Sequence, residues 1–217
     1  MTDLAVECQG EMLLLNSLGA VYRPHTRTVL IADLHLGKDA EFGRAGLPTP
    51  YGISVSNFQR LSILLETYEP DRLIVLGDFM HAIPKNADTW PTELSQWLDR
   101  YPRVTVAVVG GNHDHVSGRG KIDLRVQWLS EPYLAPPFAY AHQPIAHESL
   151  FVLSGHIHPT FVLATRHDRI RTPVFWFRSH MAVLPAFGTF TGGYNITRDV
   201  DDRIFLIGPQ DIIEIPS

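Results

Sequence analysis

Apolar positions along the 217-residue chain fall into two regimes. Residues 28–32 (TVLIA), 72–76 (RLIVL) and 104–109 (VTVAVV) are short, β-branched and almost continuously apolar, as strands buried on both faces are. Between the first two, residues 56–66 place Phe58, Leu61, Leu64 and Leu65 on one helical face, and Pro70 stops the segment. Before the third, residues 91–98 suit a helix with proline in its first turn. Strand, helix, strand, helix, strand predicts parallel pairing. Beyond residue 137 the pattern changes. Residues 138–141, 150–153, 161–164, 173–177, 203–207 and 212–215 all read as strands, with few helix signals between them. Residues 166–170 read as a polar connection between two hairpin strands. With no Gly/Ser-rich linker, repeat or low-complexity tract, the pattern predicts one α/β domain over residues 1–217, built on two sheets.

Composition narrows the function classes. Hydrophobic residues make up 45% and charged residues 19%, which excludes disorder, collagen and coiled coil. The formal net charge of −5 argues against a module that coats nucleic acid, though not against an enzyme with a locally positive site. Cys8 is the only cysteine. It permits no internal disulfide and no cysteine-rich zinc site, and the expectation is a reducing, cytoplasmic compartment. Residues 1–7 lack the basic region of a signal peptide, and no apolar run approaches the ~20 residues that span a bilayer. The unusual count is 11 histidines, several grouped with Asp and Asn.

Those groups follow strand candidates. Asp33-Leu34-His35 follows the first strand, Gly77-Asp78 the second and Gly111-Asn112-His113-Asp114 the third. His142 follows residues 138–141, and Gly155-His156-Ile157-His158 follows residues 150–153. The carboxyl ends of strands in α/β sheets form the crevice where ligands bind, so segments far apart in sequence can converge. Taken singly, Asp-x-His or Gly-Asp is more often an ordinary turn. The ordered set is far more specific. Its donors are carboxylate, amide oxygen and imidazole, without sulfur, which suits manganese, iron or zinc. Seven candidate ligands exceed one tetrahedral ion. They suit two ions about 3.5–4 Å apart that share a carboxylate.

In this order the segments resemble the calcineurin-like metallophosphoesterases. The resemblance implies an α/β fold of the metallophosphoesterase type, a four-layer α/β/β/α sandwich. It implies that Asp33, His35, Asp78 and His158 hold one ion and that Asp78, Asn112, His142 and His156 hold the other, with Asp78 bridging. His113 would sit near the leaving group. A narrower resemblance runs through Ile31-Ala32-Asp33-Leu34-His35-Leu36-Gly37-Lys38, Ala45-Gly46-Leu47-Pro48, Gly77-Asp78-Phe79-Met80-His81, Gly155-His156-Ile157-His158-Pro159 and Leu184-Pro185-Ala186-Phe187-Gly188-Thr189-Phe190-Thr191-Gly192-Gly193. These segments are similar to the bacterial ligase-associated DNA damage response endonucleases. That likeness implies a manganese-dependent DNA endonuclease in DNA repair, working beside a DNA ligase, a helicase and another nuclease. His81 departs from the wider superfamily, where Asp commonly stands, and leaves the partner of His113 unassigned.

The expected reaction is in-line hydrolysis of a phosphodiester by a hydroxide generated between two divalent ions, with Asp78 and His113 catalytic and His113 protonating the leaving oxygen. Lys38, His81 and Phe187 are the expected substrate contacts, with Phe187 and Phe190 as candidates for stacking a base. Lys38, Arg44, Arg119, Lys121, Arg125, Arg166, Arg169 and Arg171 are candidates for gripping a DNA backbone. His147 and His115 compete for ligand positions, His147 with His142. The four tryptophans read as packing, and Cys8 as inert. The alternatives are a small-substrate phosphodiesterase or phosphomonoesterase and, on the same fold, a non-catalytic scaffold.

Overall fold

A computed structural model describes residues 2–47, 53–116, 124–164, 168–209 and 211–216, leaving aside the side chains of residues 115 and 116. Pro48, Arg119, Lys121, Arg166 and His167, and the side chain of His115, therefore lie outside the described residues.

The chain opens with an antiparallel ribbon that the sequence reading did not anticipate: β1 (Asp3–Cys8), β2 (Glu11–Asn16) and β3 (Ala20–Arg23). β3 is antiparallel to β4 (Thr28–Ala32). From β4 the sheet continues in parallel through β5 (Arg72–Leu76), β6 (Thr105–Val109) and β7 (Gln127–Leu129). Short α1 (Lys38–Arg44) and longer α2 (Ile53–Tyr68) cross from β4 to β5, and α3 (Trp90–Arg100) crosses from β5 to β6. α4 (Asn112–Val116) follows β6. The continuous apolar run of the central strands has a simple cause. Val29, Ile31, Leu73, Val75, Val106 and Val108 face Phe58, Leu61, Leu64, Leu65, Trp90 and Trp97 of the helices. Leu30, Ala32, Ile74, Leu76, Ala107 and Val109 face a second sheet.

That sheet has β8 (Tyr133–Ala135), β9 (Phe138–Tyr140), β10 (Phe151–Ser154), β11 (Pro159–Ala164), β12 (Arg169–Phe177), β13 (Met181–Val183), β14 (Tyr194–Asn195), β15 (Arg203–Ile207) and β16 (Ile212–Glu214). Its path is β14-β11-β12-β13-β10-β9-β8, with β15 paired to β12 and β16. β12 is longer than expected and includes Arg169 and Ile170, which the sequence reading assigned to a connection. Side chains alternate by the period of two that a strand imposes. Phe175, Phe177 and Phe205 point to the first sheet, while Val174, Trp176, Ile204 and Leu206 point outward to Ile196. The two sheets pack face to face as expected, with helices against the first. Among the described residues no helix follows α4, so the outer face of the second sheet is covered by loop, where Trp176 Nε1 donates to Asp202.

Two devices fasten the sheets. The buried Arg23 guanidinium makes a two-pronged pair with Glu11 and also donates to Tyr140 Oη and to the carbonyls of Ala135 and Pro136. At the other end, Ala32 bridges Ala186, and the amides of Phe187 and Gly188 donate to the carbonyls of Ala32 and Asp33. The second device ties β4 of one sheet to the segment after β13 of the other, at the level where β4 ends.

Candidate metal centre

Five strands end on the residues singled out from the sequence. Asp33 and His35 follow β4, Asp78 follows β5, Asn112 follows β6, His142 follows β9, and His156 and His158 follow β10. Ligand atoms of Asp33, His35 and His158 all lie within 4.8 Å of one another, and so do those of Asp78, His142 and His156. Asn112 joins the second group, its Oδ1 2.8 Å from His142 Nε2. Asp78 stands between the groups. Its Oδ2 is 4.0 Å from His35 Nε2, and its Oδ1 is 3.6 Å from His142 Nε2. All seven candidate ligands are thus brought together. His147 is not among them. Its Nδ1 accepts from the amides of Ser149 and Leu150, so His142 is the histidine at this site.

The donor set fits a pair of divalent cations. His35 and His158 face each other Nε2 to Nε2 at 3.4 Å, and His142 Nε2 lies 2.9 Å from His156 Nδ1. Clustered ring nitrogens and carboxylates of this kind are what a shared cation satisfies. Asp33 Oδ1 is buried without a hydrogen-bond partner, an expensive state for a carboxylate oxygen that a cation would relieve. Burial is the largest cause holding both His35 and His156 below the ordinary imidazole pKa, with Lys38 acting further on His35 and His142 on His156. Both therefore favour the neutral, ligating form.

The local sequence explains how the turns are made. Asp33, His35, Asp78, His156 and His158 have φ of 53°, 50°, 43°, 70° and 52°. This left-handed region is sparsely used by residues other than glycine, though Asp, Asn and His enter it most readily. Such strain gathers where the surrounding fold over-determines the backbone, often at functional sites. The preceding glycines serve closeness. A Cβ on Gly77 would fall 2.0 Å from His142 Nδ1, and one on Gly155 would fall 2.6 Å from Asp33 Oδ2. Backbone amides finish the arrangement, His113 N donating to Asp78 Oδ1 and His156 N to Asp33 Oδ2.

His113 is half-buried at the edge of the site. Its ring meets His35 edge to face at 5.4 Å and stacks on His81 at 4.9 Å. The position where the wider superfamily carries an Asp therefore supplies a ring that supports His113. Burial, with Lys38 and His113 next in effect, holds His81 at a pKa of about 4, so it is uncharged at neutral pH. Asp114 closes the motif structurally. Its buried carboxylate accepts from the amides of Phe79, Met80 and Gly111, pinning the loop after β5 to the one after β6.

One expected substrate contact is corrected. Phe187 is 1% exposed and packs in the core beneath Arg60, whose Cζ lies 4.1 Å from the ring centroid. Arg60 also donates to the carbonyls of Phe187 and Leu18. No base can stack on a buried ring already covered by a guanidinium. Several proposed grips are engaged as well: Arg44 by Glu41 and Asp88, Arg125 by Asp99, and Arg171 by Thr160 and the Gly193 carbonyl. Trp90 and Trp97 are buried packing residues. Burial raises the Cys8 thiol to about 11, which keeps it protonated and inert. Phe42, which sequence reasoning passed over, lies against His81 with ring centroids 5.9 Å apart. No signal in its neighbourhood marks it, because the contact bridges α1 and the turn after β5.

The family model for calcineurin-like phosphoesterases matches residues 26–200. The crystal structure of Pseudomonas putida nuclease MPE is similar at a TM-score of 0.86 and 35% sequence identity, over 99% of this chain and 100% of that one. No curated protein matches the chain. Every converging strand end falls inside the matched span, and the chain belongs to the calcineurin-like phosphoesterases, a family of metal-dependent phosphoester hydrolases.

Proposed function

We propose that the protein is a two-metal phosphodiesterase that cleaves DNA endonucleolytically with manganese, in the setting of DNA repair. The observation that carries the reading is the convergence of two His/Asp groups with Asp78 between them. Support for the substrate comes from the nuclease named among the similar structures. In this reading Asp33, His35, Asp78 and His158 hold one cation, and Asp78, Asn112, His142 and His156 hold the other. When bound, such ions supply Lewis acidity toward phosphate oxygens and lower the pKa of water at the site.

The protein's own groups do the rest. Asp78 is oriented by the His113 amide, 3.0 Å from Oδ1, so the carboxylate that would serve both cations and the proton donor are held together by one hydrogen bond. The His113 imidazole, steadied by the rings of His35 and His81, donates a proton to the departing oxygen. Lys38 adds positive charge beside Asp33 and Asp78, where a phosphodiester anion approaches. A scaffold without catalysis would be free to lose ligands, and here each expected position is filled. Work beside a ligase, a helicase and another nuclease belongs to this proposal on the strength of the sequence resemblance.

Closed circular plasmid incubated with manganese tests the reading, with Asp78→Ala as the blank. Nicking by the wild type alone supports it. Intact plasmid together with hydrolysis of a small phosphodiester would move the substrate to the nucleotide scale. No hydrolysis of either would overturn the assignment.

A further inference from the structure

A cleft of about 490 Å³ opens beside the metal centre, lined by Lys38, Phe42, Phe190, Thr191 and Gly192. Its size falls within the range of ligand sites. Four ring contacts connect it to the centre. His35 touches His113 edge to face, His113 stacks on His81, His81 meets Phe42 at 5.9 Å, and Phe42 meets Phe190 at 6.0 Å. The row begins at a ligand candidate and ends at an exposed aromatic face. Lys38 stands at the junction, its Nζ 5.7 Å from the Phe42 centroid and within electrostatic reach of Asp78 and Asp33.

Phe190 is unlike the other phenylalanines of the loop and core. It is 47% exposed, where Phe187 three residues earlier is buried. It also holds φ at 66°, a conformation that makes a bulky residue a genuine outlier. The turn that imposes it is anchored on both sides. Gly188 N donates to the Asp33 carbonyl, Thr189 N to the buried Asn57 side chain, and Thr191 Oγ1 to the Gly188 carbonyl. The fold thus spends backbone strain to present an aromatic ring to water. Gly192 keeps the adjoining wall bare, since a Cβ there would meet nothing within 4 Å.

We propose that this cleft is a nucleobase subsite, in which the base of a nucleotide flanking the scissile phosphate stacks on the exposed face of Phe190, which Phe42 supports edge to face, while Lys38 takes the phosphate. The proposal rests on the phosphodiesterase reading above. A base suits the cleft because every base has a π face, so stacking gives affinity without sequence preference. The cation suits the adjoining phosphate. His81, which joins Phe42 to the centre, stacks on His113, the proton donor of that reading, so the occupied nucleotide is the one on the leaving-group side.

The test uses a short single strand with one cleavable phosphodiester among methylphosphonate linkages, in manganese. An abasic residue replaces the base on either side of that bond. Loss of the leaving-side base lowers kcat/KM about 10-fold, and Phe190→Ala lowers it by a similar factor on the intact strand. The two losses do not add, because both remove the same contact. Phe190→Tyr retains the intact-strand rate, whereas Phe190→Leu, apolar but not aromatic, does not. Additive losses, or a Phe190→Ala variant as fast as wild type on the intact strand, overturn the subsite while leaving the phosphodiesterase reading in place. A wild-type protein that cleaves plasmid or a small phosphodiester yet is inert on these strands overturns the subsite alone; one inert on all of them overturns the phosphodiesterase reading, and the subsite with it.

Discussion

The two sheets contribute different chemistry to the centre they share. The helix-backed sheet supplies every oxygen donor, Asp33, Asp78 and Asn112, with a single imidazole, His35. The second sheet supplies imidazoles alone, His142, His156 and His158. Neither completes a group by itself. Asp33 and His35 need His158 from across the seam, and Asp78 needs His142 and His156. The lesson is that the centre is a property of the interface. Carboxylates are held on the parallel layer, and imidazole nitrogen closes over them from the other side.

The largest expected effect comes from removing the charge that both groups share. Asp78→Ala should lower phosphodiesterase activity by on the order of 10³-fold or more, read in manganese against a folded control. Near-normal turnover would mean that the parallel layer does not supply the bridging charge. Next comes a change that leaves every ligand in place. Gly77→Ala sets a Cβ against the His142 ring and should cost roughly 10²-fold, the scale of a misplacement of about 1 Å, with an unchanged far-ultraviolet spectrum. If activity survives, the close approach of the two sheets is not needed. His113→Ala should slow cleavage of alkyl-leaving diesters about 10²-fold yet spare an activated aryl ester. Equal losses on both substrates would remove the proton-donor role.

The seam itself can be weighed by heat. Ions that bind only the folded state stabilise by mass action, about 2.7 kcal/mol at a hundredfold excess over Kd, which for a chain of this size is roughly 5–10 °C in Tm. Manganese should therefore raise Tm in the wild type and less in His158→Ala, whose side chain is, among the described residues, the one that the second sheet gives to the first group. An undiminished shift in that variant would show that the parallel layer binds its ion unaided. The smallest effect concerns ionic strength. With Arg44, Arg125 and Arg171 already engaged, DNA cleavage should depend on salt less steeply than a contact on every basic candidate would require.

Much of this was legible because the central strands bury both faces. Residues 28–32 and 72–76 form strands with the predicted bounds, and the candidate ligands Asp33 and Asp78 stand within two residues of their ends. Polar residues that interrupt an apolar run are conspicuous in a sequence. The N-terminal ribbon was not seen because β1 and β2 mix exposed and buried positions over short lengths, which leaves a weak period of two. Phe187 misled for a different reason. A glycine-flanked aromatic looks like a surface loop, and the guanidinium that covers it comes from Arg60, 127 positions away. The Phe42–His81 contact was hidden likewise, since only the fold lays α1 against the turn after β5.

The left-handed torsions at Asp33, His35, Asp78, His156 and His158 bear on how freely such a centre can be rebuilt. Aspartate and histidine are at once the ligand types the ions ask for and the types this backbone tolerates best. Coordination chemistry and main-chain sterics thus filter the same alphabet, and they pass nearly the same letters. A designer who wished to install β-branched or bulkier substitutes would have to reshape the turns before touching the metal, which makes these loops conservative by geometry as well as by chemistry.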